Sequence, residues 1–268
     1  MTSTLAQAWT AAAVLIASVR ICAMADMSST NEKGMDLFLL IGQSNMAGRG
    51  VLTDESRVDS DRIFKLDAQG QWQRAEEPIH FDKKSAGAGL SASFARAVAD
   101  SDKDARIGLI PCAVGGTSIK RWVEGGDLWT NAVVRTRIAL KSGRLKGILW
   151  HQGESDATPA RAPKWSAKFE SMVKSLRREF GEVPIIAGEL GAYLEGYRDK
   201  YGNGLVWREI NSQLHGMEGK ISRFRVVSAD GLMPNRDKLH FNTESLRIFG
   251  LRYAAAFESL ENDERRMK

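Results

Sequence analysis

Cysteine is nearly absent: the 268 residues hold two, Cys22 and Cys112, and the first lies in an amino-terminal segment unlike the rest. Loss of that segment leaves Cys112 alone in an apolar stretch, which excludes a disulfide framework and points to a buried free thiol. A membrane span is lacking too, since the apolar run Ala11–Val19 has nine residues where a spanning helix needs about 20. No block of lysine and arginine interleaved with aromatics occurs. The 38 basic and 33 acidic side chains are scattered and leave a net charge of +5, so nucleic acid is not an expected partner. There is no internal repeat, low-complexity tract or linker. What remains, 43% hydrophobic and 26% charged, is ordinary for a globular chain with a sizeable core.

The run AAAVLIASV is followed by Ala23, Met24 and Ala25, the small-x-small pattern that precedes a cleavage site. Residues 1–25 therefore read as a secretory signal peptide, and 26–268 as one domain destined for the periplasm or the exterior. Against this, no Lys or Arg precedes the run and Arg20 follows it. A later start at Met24, Met27 or Met35 is the alternative.

Leu37 to Arg49, LFLLIGQSNMAGR, organises the remainder. Five apolar residues run into a glycine and a polar pair, which reads as a buried strand that stops abruptly and presents Ser44 at its carboxyl edge. Further strands are expected at 63–66, 106–113, 147–151, 184–190 and 223–228, and helices at 90–99, 127–141, 163–180, 205–215 and 243–260. Within them, Ser91 is an expected early cap, and Val133, Val134, Ile138 and Leu140 are expected to face the core. Residues 72–89, with Pro78, read as a long surface excursion. Strands alternating with helices imply a parallel sheet covered on both faces by right-handed crossovers, a three-layer α/β/α domain.

Four of these strand ends bring polar groups to one rim: Ser44, the glycines of AVGGTSI, WHQGESD, and finally Asp237 and His240 in MPNRDKLHFN. A hydroxyl is unreactive at neutral pH unless a positioned base takes its proton. An Asp three residues before a His can hold one ring nitrogen while the other faces a hydroxyl. Ser44 would then attack, His240 act as base and Asp237 hold the tautomer. The substrate oxyanion would be met by the backbone N–H of Ser44, an N–H of the Gly115–Gly116 turn and the amide of Gln152.

Together, GQSNMAGRG at 42–50, GGTSI at 115–119, HQGESD at 151–156 and DKLH at 237–240 resemble the blocks of the SGNH (GDSL-type) hydrolase superfamily. Within it they resemble the carbohydrate acetylesterase branch, which includes acetylxylan esterases and sialate O-acetylesterase-like proteins. Two departures, GQS for the commoner GDS and Gln152 for the usual Asn, match that branch. The resemblance implies a flavodoxin-like sheet of about five parallel strands, Ser44, Asp237 and His240 as catalytic residues, and Ser44, Gly115 and Gln152 as oxyanion donors. It further implies an acetylated carbohydrate as substrate, an acyl-enzyme, and neither metal nor organic cofactor. A lipase or thioesterase of the same superfamily, or an inactive carbohydrate-binding relative, are the competing readings.

Taken singly these signals are weak. An isolated Asp-x-x-His is more often a surface ion pair, and His151 at a strand end is more often structural than a base. Glu154 and Asp156 brace a turn or support His240 or Ser44 from behind. The spacing from His151 to Asp156 fits no familiar metal site. Trp122, Tyr193 and Tyr197 either stack on a sugar or anchor the core, and Trp122 is the one expected to touch substrate. His80 and His215 carry no expected role.

Overall fold

The computed structural model describes residues 34–53, 58 and 60–267. The expected leader and Cys22 lie outside the described residues.

Seven strands, β1 (Met35–Gly42), β2 (Ile63–Leu66), β3 (Trp72–Arg74), β4 (Ile107–Pro111), β5 (Gly143–His151), β6 (Ile185–Gly188) and β7 (Phe224–Val227), form one sheet in the order β3-β2-β4-β1-β5-β6-β7. Every pairing is parallel except that of β3 with β2. Six helices accompany them: α1 (Ser44–Ala47), α2 (Leu90–Ser101), α3 (Asp127–Ala139), α4 (Trp165–Phe180), α5 (Trp207–His215) and α6 (Thr243–Met267).

The central strands carry apolar runs, residues 37–41 in β1, 107–111 in β4 and 148–150 in β5, because both of their faces are buried there. In β1, Leu37, Leu39 and Ile41 join one core with α3, α4 and α5, whereas Phe38 and Leu40 join a second with α2 and α6. β5 divides likewise, with Ile148 and Trp150 on one face and Leu149 on the other. The α2–α6 layer is tight. A side chain at Gly250 would run into the Leu90 carbonyl and Ser93 Oγ, and Ser93 Oγ donates to Arg247 O at 2.9 Å.

Three expectations change. The sheet has seven strands where the resemblance implied about five: the six read along the sequence all pair into it, and the 72–89 excursion begins with a seventh, an antiparallel edge strand that hydrogen bonds to β2. In α3, Val133 is buried, but Val134, Ile138 and Leu140 are 50%, 37% and 39% exposed. The inward face carries Leu128, Ala132, Thr136, Ala139 and a buried Arg135 instead, whose guanidinium donates to the Leu66 and Asp67 carbonyls at 2.8 and 2.9 Å. Packing of Leu128, Ala132, Val133 and Ala139 into the core, with the buried guanidinium bonded to those two carbonyls, turns Val134 and Ile138 outward. Ser91 is no cap; Gly89 precedes the helix and Ser91 is buried.

Because β1 is central and β4 and β5 flank it, the chain leaves β1 where successive crossovers run to opposite sides. In open α/β sheets, the crevice at the carboxyl ends of strands beside such a point receives ligands. Ser44, Gly115 and Gln152 follow the three strands that meet there.

Candidate active site

The site begins with a turn that only glycine fits. Gly42 has φ of 132° and a Cβ there would collide with the His151 backbone of β5. The strand breaks, Gln43 N–H donates to His151 O at 2.8 Å, and Ser44 opens the short helix α1 at the floor of the crevice.

His240 arrives from the other end of the chain on the turn before α6. Its Nδ1–H donates to Asp237 Oδ2 at 2.6 Å, and its Nε2 lies 2.9 Å from Ser44 Oγ. Asp237 Oδ1 accepts the N–H groups of Leu239 and His240 at 2.9 and 3.0 Å, with Lys238 held at a φ of 56° between them. Partial burial, the largest influence, raises the Asp237 carboxyl. The hydrogen bonds from the His240 ring and the two backbone N–H groups outweigh it and hold the group below the usual carboxylate range. An ionised Asp237 accepts only, so the ring proton sits on Nδ1 and Nε2 is left as an acceptor facing the serine. Ser44 and His240 line a cleft of about 420 Å3, together with Gln43, Arg49, Lys83 and Arg161.

Of the other expected residues, Gly115 lines the same cleft but Gln152 and Trp122 are buried away from it. Gln152 is fully buried; its Nε2 donates to Thr117 O at 3.1 Å and Asp156 Oδ2 at 2.6 Å, and its Oε1 accepts from Trp165 Nε1 at 2.9 Å. The expectation that its amide meets the substrate is corrected: both N–H groups are committed to protein acceptors. Gly115 is corrected as well, because its N–H donates to Asp82 Oδ2 at 2.8 Å. Its lack of a side chain leaves room for the Arg49 guanidinium, which binds the same carboxylate at 2.6 Å. Trp122 is 1% exposed and packs edge-on against Trp150 at 5.8 Å, so it is a core anchor and touches no ligand. Asp156 turns out to be the tie between blocks, accepting Ser118 Oγ at 2.6 Å and Ile119 N–H at 2.7 Å besides Gln152.

A family model described as "Carbohydrate esterase, sialic acid-specific acetylesterase" matches residues 34–259. The chain belongs to that family. The chain is also 35% identical over 247 residues to the "Probable carbohydrate esterase At4g34215" of Arabidopsis thaliana, covering 83% of this chain and 90% of that one. The crystal structure of the Arabidopsis protein superposes with a TM-score of 0.76 at 33% identity, over 84% of this chain and 98% of that chain. NanS (TM-score 0.66, 16% identity, 87% of this chain and 99% of that one) shares the fold. So does XAC1771, a carbohydrate acetylesterase from Xanthomonas citri (TM-score 0.60, 20% identity, 82% of this chain and 55% of that one).

Several polar residues of this esterase-family crevice went unnoticed in the sequence. Arg49 and Asp82 form a nearly buried ion pair beside Ser44, with side chains 8% and 1% exposed. Arg49 lies inside the GQSNMAGRG block, and Asp82 in the long excursion, the kind of loop that carries function. Gln43 is 3% exposed, lines the cleft and accepts Ser155 N–H on its Oε1 at 3.2 Å. His151 and Glu154 form a buried pair at 3.4 Å behind the site. No group of histidine, cysteine and carboxylate side chains among the described residues has the arrangement of a metal site.

Proposed function

We propose that this chain removes acetyl groups from a carbohydrate by serine catalysis, with Ser44 as nucleophile, His240 as general base and Asp237 as the carboxylate that orients it. The observation that carries this reading is the unbroken hydrogen-bonded row from Ser44 Oγ through the imidazole to Asp237 at the wall of an open cleft. Nε2 takes the serine proton as Oγ attacks the acetyl carbonyl, then returns it to the departing sugar hydroxyl. Water, deprotonated by the same nitrogen, releases acetate from the acyl-enzyme. The oxyanion is assigned to the Ser44 N–H and the Gln43 carboxamide, whose oxygen is anchored by Ser155 while its amide remains for the substrate.

Acetate release from a panel of acetylated xylan, pectin and sialic acid esters tests the activity and identifies the substrate, an acetylxylan-like glycan being the expected class. Ser44→Ala should lower kcat by about 10⁴-fold or more with an unchanged circular dichroism spectrum; undiminished turnover rejects the assignment. Gln43→Ala should cost about 10²-fold in kcat. Residues 1–25 are taken as an export leader preceding one esterase domain at 26–268, and mass spectrometry of the mature amino terminus checks the cleavage.

A further inference from the structure

The residue after the serine reaches no ligand. Asn45 is 1% exposed, and its carboxamide is spent on the segment that delivers His240. Its Oδ1 accepts the N–H of Phe241 at 3.1 Å, and its Nδ2 stands 3.4 Å from the carbonyl of Leu239. One side chain thus grips the peptide on both sides of His240 from the position adjacent to Ser44. Nδ2 makes a further, short hydrogen bond of 2.5 Å to Glu154 Oε1 in the turn after β5.

The third bond agrees in polarity with the other two. The Phe241 N–H can only donate and the Leu239 carbonyl only accept, which turns Oδ1 to Phe241 and leaves Nδ2 to the Glu154 carboxylate, an acceptor that holds the amide with a charge-assisted bond. Glu154 is 4% exposed. Burial, the largest influence, favours its neutral form, but the His151 ring 3.4 Å away, the Glu154 backbone N–H and the Asn45 amide hold its carboxyl below the ordinary value. The Leu239 carbonyl has a second donor in Tyr193 OH at 3.3 Å, and the Tyr193 ring packs edge-on against Phe241 at 5.1 Å. Asn235 closes the turn on itself through its N–H to His240 O at 2.6 Å and ties it to Arg49 O. Those contacts shape the loop, whereas Asn45 couples it to the residue beside the nucleophile.

We infer that Asn45, anchored by the Glu154 carboxylate, is a positioning residue that sets the contact between Ser44 Oγ and His240 Nε2. The inference rests on the serine-esterase reading. Misplacing reacting groups by about 1 Å costs on the order of 10²-fold in rate, while substrate affinity, which Asn45 does not touch, is spared.

The test measures kcat and KM separately on an acetyl ester, together with the rate at which an organophosphonate labels Ser44, in folded Asn45→Ala, Asn45→Asp and Glu154→Gln. Both Asn45 variants should lose about 10²-fold in kcat and in labelling rate, with KM within about twofold of wild type. Asn45→Asp is expected to fail despite its matching shape, because a second carboxylate faces Glu154. Glu154→Gln keeps an acceptor but replaces the charge-assisted bond to Asn45 Nδ2 by a weaker neutral one, and should lose about tenfold in both rates. It decides the matter should the Asn45 variants not fold. Wild-type kcat and labelling in folded Asn45 variants, or in Glu154→Gln where only that variant folds, overturn the inference and leave the esterase reading intact. Turnover undiminished in Ser44→Ala overturns both.

Discussion

Gln152 and Trp122 illustrate how a residue in a catalytic motif or beside one can be structural. The Gln152 amide joins β5, the turn after β4 and Trp165 in one buried set of bonds. Gln152→Ala strands the Trp165 N–H, which costs about 1–3 kcal/mol for an unsatisfied buried group. We expect a lowered urea midpoint with kcat and KM nearly unchanged; a 10²-fold fall in kcat at undiminished stability would restore it as an oxyanion donor. Trp122→Ala removes a large fully buried ring and should cost about 3–5 kcal/mol, again without a change in KM. Two other buried groups are chemically quiet. Burial pushes the Cys112 thiol up to about 12 and pulls the His80 imidazole down to about 4, so the first stays protonated and the second neutral near pH 7.

At the scale of elements, the crossing of α2 and α6 and the docking of α5 are the informative contacts. Gly250 lets α6 lie against the first turn of α2. Gly250→Ala should therefore destabilise by about 1–3 kcal/mol through overpacking, visible as a lower thermal midpoint, where alanine in an uncrowded helix would raise it. The carboxyl end of α5 is pinned by His215, whose Nε2 lies 2.6 Å from Glu189 Oε1 and whose Nδ1 lies 3.3 Å from Glu218 Oε2. Burial, the largest single influence, lowers the His215 pKa, and the summed hydrogen bonds and charges of the two carboxylates overcome it and leave it raised above 6.5. A raised histidine stabilises fully below its unfolded value and loses that contribution as pH rises through its folded value. Stability should thus decline above about pH 6.5 by an amount that His215→Gln abolishes in denaturant titrations; identical pH slopes in both proteins would remove His215 from the account.

Across the whole molecule, acid sensitivity should follow the carboxylates that folding has made more acidic. Glu154 and Asp237 both lie below their ordinary values, so their stabilisation is present above the unfolded pKa and is lost as pH falls through the folded one. Asp237 is 48% exposed and solvent screening weakens its share, which leaves Glu154 as the principal group of the two. Glu154→Gln should accordingly flatten the loss of stability below about pH 4.5. A larger cleft of about 530 Å3 between α4 and residues 220–222 offers lysine, arginine, glutamate and Ser222 but no histidine to act as base, and the Ser222 hydroxyl is bonded to Arg177 and Glu182, so size alone does not locate the chemistry. No helix among the described residues is long and apolar enough to cross a membrane.

The sequence by itself determined the layering and the polar rim, because periodicity and strand-end composition are local. Two-sided burial makes β4, residues 37–41 of β1 and residues 148–150 of β5 apolar, and a strand that stops at Gly42-Gln43-Ser44 announces its own edge. β3 was invisible, since three residues on a sheet margin, one of them glutamine and one arginine, carry too little periodicity. The outward turn of Val134 and Ile138 was equally hidden, because it follows from how α3 packs into the core and where the Arg135 guanidinium finds carbonyls 68 and 69 residues away. Only the tertiary structure decided which amides and N–H groups remain unspent. Whether Gln152 meets a ligand or Trp165, whether Gly115 N–H is free or taken by Asp82, and what holds His240 against Ser44 are matters of distance between segments far apart in the chain, and hydrogen bonds saturate at a donor only once those segments have met.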